Sequence, residues 1–181
     1  MKKFTLILFA LFLVILTNGC LIIHTVQYEI TPSGAASGTA VLIVEDIRSD
    51  AINSSELDED KKNLFEFMYK SDEFIQQMKD EGKTIKSREL IVDNGKLNGK
   101  ITFDYNDIQI VEGIVYEEPF YYLTLSAEDS VISTNGELIK SDMHKRIIWD
   151  NSIKVLKFKM FSDKVEGQNL LSMAQYYKPE K

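Results

Sequence analysis

The hydrophobic residues of this chain form one continuous run near the start and short alternating segments after it. Residues 4–16 are almost wholly apolar and follow Lys2 and Lys3. A helix that spans the hydrocarbon core of a membrane needs roughly 20 apolar residues, so this run is short for a permanent span. A positive start, a short apolar run and a polar break are typical of an export signal that is cleaved. We therefore expect residues 1–19 to be a signal peptide.

From residue 21 onward, apolar and polar residues alternate in the two-residue period of half-buried strands. Residues 21–31 and 39–44 flank a turn cluster rich in glycine and serine, a pattern that predicts a first hairpin. Residues 86–92 and 97–105 flank Asn94-Gly95. This dipeptide is a strong hairpin signal because both turn residues must adopt positive φ. The first half of the chain therefore contains two predicted hairpins.

The second half of the chain continues the strand pattern. Asn135-Gly136 suggests a further hairpin, and two more strand-like segments flank Asp150-Asn151. The later of these places Leu156, Phe158 and Met160 on one face and lysines chiefly off it, as in a strand that is buried on one side. The strand-like segments of this half are residues 114–116, 120–125, 145–149 and 153–161.

One segment has the helical period instead. Between residues 55 and 81, apolar side chains recur on one face at helical spacing. Ser55 and Asp58 stand at the spacing of a capping box, and Gly82 is a typical C-terminal stop. Ser71-Asp72 is a point at which this helix can break into two pieces. Its apolar face consists of Leu57, Leu64, Met68, Ile75 and Met78.

These patterns together predict an α+β fold. We expect a mainly antiparallel sheet of about six to eight strands, built from hairpins, with one principal helix at about residues 55–81 packed on one face. The tandem hairpins disfavour a parallel βαβ organisation. After loss of the signal, residues 20–181 fit the usual size of a single domain with one hydrophobic core.

The charge of the chain excludes one class of partner. Formal charge is −7, and loss of Lys2 and Lys3 with the signal makes the mature part −9. Nucleic-acid binding depends on Lys and Arg side chains that neutralise phosphates, and the sequence has no basic stripe with interleaved aromatics. We therefore expect no nucleic acid partner. Because the negative charge also disfavours lying flat on anionic lipid, membrane association is expected to come from an anchor.

Cys20, the single cysteine of the chain, determines the expected location. Gly19-Cys20 at the end of the apolar run resembles the lipobox of bacterial lipoproteins, although Leu16 lies one position further from the cysteine than is usual. The resemblance implies that Cys20 carries palmitate-type acyl chains, becomes the first mature residue and holds the domain outside the cytoplasm, on the cell membrane or the outer membrane. Two or three acyl chains make such attachment lasting. The alternatives are an ordinary signal peptide and an uncleaved signal anchor with an incidental cysteine.

No pattern in the sequence predicts a catalytic, cofactor or metal site. His24 and His144 lie in no ligand spacing for zinc or iron, and the Gly-x-Ser-x-Gly elbow of serine hydrolases is absent. Glu117-Glu118 and Asp58-Glu59-Asp60 are interpreted as solvated acidic surface, because glycosidases need two carboxylates across a cleft. Residues 46–50 lack the central Gly and the final Glu of a calcium loop.

An aromatic cluster near Pro119 is the first place to look for a binding face. Aromatic groups with polar tips are common at recognition surfaces. Alternation along strands would bury about half of the cluster, so a role in the core is the competing interpretation. The cluster consists of Tyr105, Tyr116, Phe120, Tyr121 and Tyr122.

The layout of the whole chain suggests a function class. A lipobox-like cysteine, a first hairpin, one helix and the strand pair about Asn94-Gly95 that leads to Ile101-Thr102-Phe103 together resemble small bacterial envelope lipoproteins of the LppM kind. That resemblance implies a surface or periplasmic module with no recognised catalytic centre. We therefore expect a membrane-tethered, non-enzymatic protein that binds another envelope component or has a structural role.

Two alternatives make different structural demands. An envelope hydrolase would require a deep cleft that brings His144 together with an acid and a nucleophile. A carrier of a lipid or other hydrophobic ligand would require an apolar cavity between the helix and the sheet.

Overall fold

The computed structural model describes residues 21–161 and 170–179. In this part of the chain, strands form two sheets, and a helical segment lies between the second and third strands. The helices are α1 (Ser54–Lys61), a π-helical segment (Lys62–Met68) and α2 (Asp72–Asp80), with 3₁₀ turns at Ile108–Ile110 and Met173–Tyr176. The strands are β1 (Leu21–Pro32), β2 (Gly38–Ser49), β3 (Lys83–Asp93), β4 (Lys96–Tyr105), β5 (Val115–Glu117), β6 (Phe120–Ser126), β7 (Val131–Thr134), β8 (Glu137–Lys140), β9 (His144–Asp150), β10 (Leu156–Phe161) and β11 (Leu171–Ser172).

The strands are divided between two antiparallel sheets. Sheet A has the order β3-β4-β2-β1-β10-β7, and β11 pairs with the end of β2. Sheet B has the order β5-β6-β9-β8. The prediction of a mainly antiparallel fold is confirmed. The structure corrects the prediction of one sheet of six to eight strands, because the alternating pattern of each strand does not reveal which strand it pairs with.

The first two predicted hairpins are confirmed. β1 and β2 pair along their length, with Leu21 opposite Ser49. β2 continues past its predicted end at Val44, because β1 supplies backbone partners as far as its own first residue. In the β3–β4 hairpin, Asn94 and Gly95 have φ values of 50° and 77°, the left-handed pair that a two-residue turn needs.

The predicted hairpin at Asn135-Gly136 is wrong. β7 before it pairs with β10 in sheet A, and β8 after it pairs with β9 in sheet B, so the dipeptide joins the two sheets. Asn135 Oδ1 accepts hydrogen bonds from Trp149 Nε1 at 2.9 Å and from the Lys157 backbone N–H at 2.7 Å. Its Nδ2 donates to the Val155 carbonyl at 2.8 Å. The segments that flank Asp150-Asn151 also belong to different sheets, β9 to sheet B and β10 to sheet A.

The inner face of sheet A carries two hydrophobic clusters, one towards each end of its long strands. On β4, Phe103 and Tyr105 belong to the first cluster and Leu97 to the second, and alternate residues of a strand share a face. Sheet B covers the first cluster and contributes the fully buried Trp149. The helical segment covers the second cluster. The buried residues of that second cluster are Ile47, Leu64, Leu97 and Met173.

The prediction of one principal helix over residues 55–81 is only partly confirmed, because the segment contains two α-helices. α1 ends at Lys61 and continues directly into the π-helical segment. The chain then breaks at Ser71, whose hydroxyl accepts hydrogen bonds from the backbone N–H groups of Glu73 and Phe74 and so caps α2. The break falls at the Ser71-Asp72 position that the sequence indicates.

The ends of the helical segment differ in how well the sequence predicts them. The N-cap of α1 is Asn53 and not Ser55, since Asn53 Oδ1 accepts hydrogen bonds from the N–H groups of Ser55 and Glu56 at 3.0 Å each. Asn is as good an N-cap as Ser, and it starts the helix earlier. Gly82 has a φ of 86° and follows α2 as predicted.

Candidate functional site

The outer face of sheet B carries aromatic and aliphatic side chains beside an arginine. Tyr121 and Leu123 of β6 are buried, so Tyr122 between them points away from the core. Tyr122 lies opposite Ile148 of β9 and opposite Val115 of β5. We define the outer face of sheet B as Val115, Phe120, Tyr122, Ile139, Arg146 and Ile148.

Arg146 and Tyr122 form the polar centre of this face. The guanidinium carbon of Arg146 lies 5.0 Å from the centroid of the Tyr122 ring, a cation–π contact. Arg146 Nε also donates a hydrogen bond to Thr124 Oγ1 at 3.1 Å. Hydrogen bonding to Glu117 raises the pKa of Tyr122. Tyrosine and arginine are enriched among the residues that dominate binding energy, and here their neighbours hold both in place.

The aromatic cluster predicted from the sequence is divided between this face and the core. Tyr105 and Tyr121 are only 3% and 5% exposed, and burial raises the pKa of both. Tyr116 packs on Tyr121 with ring centroids 4.6 Å apart. The Tyr121 hydroxyl donates to the Gly34 carbonyl at 3.0 Å, which ties sheet B to the β1–β2 turn. Tyr122 therefore belongs to the outer face of sheet B, whereas Tyr105 and Tyr121 belong to the core.

The outer face of sheet A carries charges that are paired across its strands. Glu45 accepts hydrogen bonds from Thr25 Oγ1 at 2.7 Å and from Lys159 Nζ at 2.5 Å. The Lys159 ammonium is the main reason that the pKa of Glu45 is lowered. Lys157 and Glu29 form a second pair at 3.1 Å. Because these opposite charges are matched in pairs, this face is a weaker candidate for binding a charged ligand.

A shallow groove of about 550 Å³ lies between α2 and the edge strand β3. The cations that line it are engaged within the protein. Arg88 Nη1 donates to the carbonyls of Met68 and Ser71 at 2.9 and 3.0 Å, and Lys86 pairs with Asp104 at 2.7 Å. Arg88 therefore links the turn between the π-helical segment and α2 to strand β3 of sheet A. The groove is lined by Tyr69, Lys70, Ile75, Ile85, Lys86, Ser87 and Arg88.

The two histidines lie in different sheets. His24 on β1 packs edge-on against Phe161 of β10, with ring centroids 5.3 Å apart. His144 begins β9, and its Nδ1 lies 3.4 Å from Ser141 Oγ. Ser141 Oγ also donates to the His144 carbonyl at 2.8 Å, so this serine closes a turn. Ser141 and His144 are both exposed, and residues 21–161 and 170–179 form no deep cleft around them of the kind that the hydrolase hypothesis requires.

The carboxylates noted in the sequence have contrasting surroundings. Glu117-Glu118 and Asp58-Glu59 are exposed, as predicted. Asp60 is fully buried: its Oδ2 accepts a hydrogen bond from Ser49 Oγ at 2.5 Å, and its Oδ1 has no hydrogen-bond partner in the described part of the chain. Burial raises the pKa of Asp60. Its position three residues after Leu57 and four before Leu64 places it on the apolar helix face, a signal that the sequence interpretation missed.

Residues 46–49 belong to the end of β2 and not to a metal-binding loop. Asp46 has a φ of 58°, and its backbone N–H donates to Asn98 Oδ1 at 2.9 Å. Its carboxylate pairs with Arg48 at 2.6 Å and Lys96 at 3.4 Å, and the hydrogen bond with Arg48 lowers its pKa. Across residues 21–161 and 170–179, no group of three or more His, Cys, Asp or Glu side chains is placed to hold a metal ion.

The space between the helical segment and sheet A is where a hydrophobic carrier would hold its ligand. Leu97 and Met173 are fully buried there, and Leu64 is 5% exposed. An acyl chain entering this space would therefore have to displace these side chains, which pack against one another.

The predicted lipid attachment residue, Cys20, lies outside the described residues, which begin with Leu21 in β1. None of the helices in the described ranges is long and apolar enough to cross a membrane. Comparisons with protein-family models, with curated proteins and with solved structures find no match to this chain.

Proposed function

We propose that this protein is an envelope lipoprotein, tethered to a membrane through acylated Cys20, and that its domain is a non-enzymatic binding or structural module outside the cytoplasm. The charged start, the apolar run and Gly19-Cys20 support export and acylation. The observation that carries the proposal is that Leu21, the residue after Cys20, is already paired with Ser49 in sheet A. Cleavage before Cys20 would therefore leave every described strand intact and would put the acylated residue directly at the edge of the fold.

The outer face of sheet B is the proposed binding surface. Phe120 and Ile139 are 43% and 47% exposed, and both lie on the same side of sheet B as the Tyr122–Arg146 pair. Single exposed apolar residues are normal on any protein, whereas several on one sheet face together with tyrosine and arginine are typical of a protein-binding patch. The partner is therefore another envelope protein, bound through a partly apolar contact.

The intact mass of the membrane-extracted protein tests the tether. The wild type is expected to have lost residues 1–19 and to carry acyl chains. In the matched variant Cys20→Ser, both changes should be absent. A wild-type protein that is recovered without acyl chains would overturn the proposal and leave a secreted domain or an uncleaved signal anchor.

A further inference from the structure

Several exposed large apolar side chains lie at one end of sheet A, the end at which β1 begins. Ile52 is 89% exposed, Val92 47% and Leu171 36%. Each has a buried residue close by: Ala51 precedes Ile52, Leu97 lies opposite Val92, and Met173 follows Leu171 by two residues. These side chains are therefore exposed next to a packed core and not in a loosely packed region.

The strand register places these residues around the start of β1. Leu21 and Leu171 both lie opposite Ser49, one on each side of β2. Ile52 follows Ser49 by three residues. The tip of the β3–β4 hairpin, next to Val92, is joined to β11 by a hydrogen bond from Ser172 Oγ to the Gly95 carbonyl at 3.3 Å. We name Ile52, Val92 and Leu171 the anchor-proximal edge.

We infer that the anchor-proximal edge rests in the interfacial layer of the membrane that holds Cys20, an inference that builds on the proposed lipid anchor. One residue of extended chain spans at most about 3.6 Å, so a lipid-bearing Cys20 holds Leu21, and the strand end opposite it, at the bilayer surface. Apolar side chains at that depth leave water for the boundary between headgroups and acyl chains.

The charges at this end indicate which kind of lipid contact forms. Asp46 is paired with both Arg48 and Lys96, so its carboxylate offsets one of the two positive charges nearest the edge. With Asp50 and Asp93, which lie at the same end, these five side chains carry a formal net charge of −1. Attraction to anionic headgroups therefore does not hold the edge down, and the contact should form equally well on zwitterionic phosphatidylcholine. Its effect is to fix the orientation of the domain, since the acyl chains already provide the attachment.

The proposal is tested with single introduced thiols in the full-length, processed protein. Acylation converts the Cys20 thiol into a thioether, so a cysteine added elsewhere is the reactive one. Ile52→Cys and Leu171→Cys report on the anchor-proximal edge. Ala36→Cys is the matched control, because it is exposed in the turn at the far end of the 12-residue strand β1, about 40 Å away.

Each variant is labelled with an environment-sensitive dye and reconstituted in phosphatidylcholine vesicles that contain a lipid with a nitroxide on its headgroup. We expect strong quenching at positions 52 and 171, at least threefold above that at position 36. Equal, weak quenching at all three positions in protein of the acylated mass would overturn this inference and leave the anchor intact. Blue-shifted emission at position 52 without quenching would place protein there, such as a second copy of the chain, and would also overturn it. An unacylated mass would overturn both the inference and the proposed anchor.

Discussion

Trp149 donates its indole N–H to Asn135 Oδ1 at 2.9 Å, and this bond joins the fully buried centre of sheet B to the crossing between the sheets. The same oxygen accepts the backbone N–H of Lys157 in sheet A. One amide side chain therefore bridges both sheets. Asn135→Ala would leave a buried indole donor without its partner.

We expect Asn135→Ala to lower the free energy of unfolding by about 2–3 kcal/mol, the usual range for a buried polar group deprived of its partner. Asn135→Asp keeps the accepting oxygen but replaces the donor to the Val155 carbonyl with a second acceptor, so it should cost about 1.5 kcal/mol, less than Asn135→Ala. Urea denaturation followed by the fluorescence of Trp149, the single tryptophan, measures both. Equal losses in the two variants would contradict the bridging role.

The buried carboxyl of Asp60 predicts a pH dependence. Because burial raises its pKa above the ordinary value of 3.8, the folded state holds this proton more tightly than the unfolded state does. Its contribution to stability is therefore complete below pH 3.8 and declines as pH rises through the raised pKa. Asp60→Asn, which keeps an oxygen to accept the Ser49 hydroxyl, should remove this decline and raise stability at pH 7 by about 1 kcal/mol. Thermal denaturation of the wild type and of Asp60→Asn between about pH 3 and pH 8 measures how the stability of each depends on pH. The same pH dependence in both proteins would contradict the prediction.

Glu45 predicts the opposite slope. Its pKa is lowered from 4.5, first by the hydrogen bond from Lys159, so its contribution is present above pH 4.5 and is lost as pH falls through the lowered value. Lys159→Met should cost about 0.5 kcal/mol at pH 7, because the pair is partly exposed to solvent, and the cost should shrink in acid. Lys154→Met, an equal charge change at an exposed site, is the control. The same cost in both variants would show that net charge and not this pair is responsible.

Two glycines should respond to alanine for different reasons. Gly95 has a φ of 77° and open space where the methyl group of an alanine would stand, so Gly95→Ala carries only the backbone cost of about 1 kcal/mol. At Gly136, a methyl group would come within 2.7 Å of the Ile148 carbonyl oxygen and Trp149 Nε1. Gly136→Ala should therefore cost about 2–3 kcal/mol, as overpacking does. The denaturant midpoints of the two variants show which one loses more stability. A larger loss for Gly95→Ala would contradict the close contacts at Gly136, where the chain crosses between the sheets.

The outer face of sheet B predicts a position-specific contact in the cell. A photo-reactive amino acid at Ile148 should form a discrete crosslinked product in intact cells, and Arg146→Ala should reduce its yield at least fivefold. The same probe at Lys100, on the outer face of sheet A, is the control. A product of the same size and yield from both positions would indicate random collision and would remove sheet B as the binding face.

The sequence predicts those features of the fold that are decided locally. Asn94-Gly95 forms its hairpin because the required positive φ angles belong to the turn residues themselves. The same dipeptide at Asn135-Gly136 fails as a signal, because hydrogen bonds to Trp149 and Lys157 govern its conformation, and these partners lie far along the chain. The division into two sheets is missed for the same reason.

The candidate binding face shows the same limit. Tyr122 could be recognised in the aromatic cluster, and strand alternation places it opposite to Tyr121. Arg146 could not be recognised from the sequence, because it comes next to Tyr122 only through the register of β6 with β9. In that register, Thr124 lies opposite Arg146. Asp60 is missed for another reason. Its acidic neighbours suggest a solvated position, and only its helical spacing from Leu57 and Leu64 shows that it faces the core.

β1 begins one residue after Cys20, so no flexible linker separates Cys20 from the first strand. Many tethered proteins can sweep a volume set by a flexible spacer, but a lipid on Cys20 would give this one no such freedom. A 12-residue strand extends about 40 Å, so the far turn of the β1–β2 hairpin marks the height to which this hairpin can rise. A partner of this hairpin in the lipid-bound protein would therefore have to come within about 40 Å of the bilayer surface.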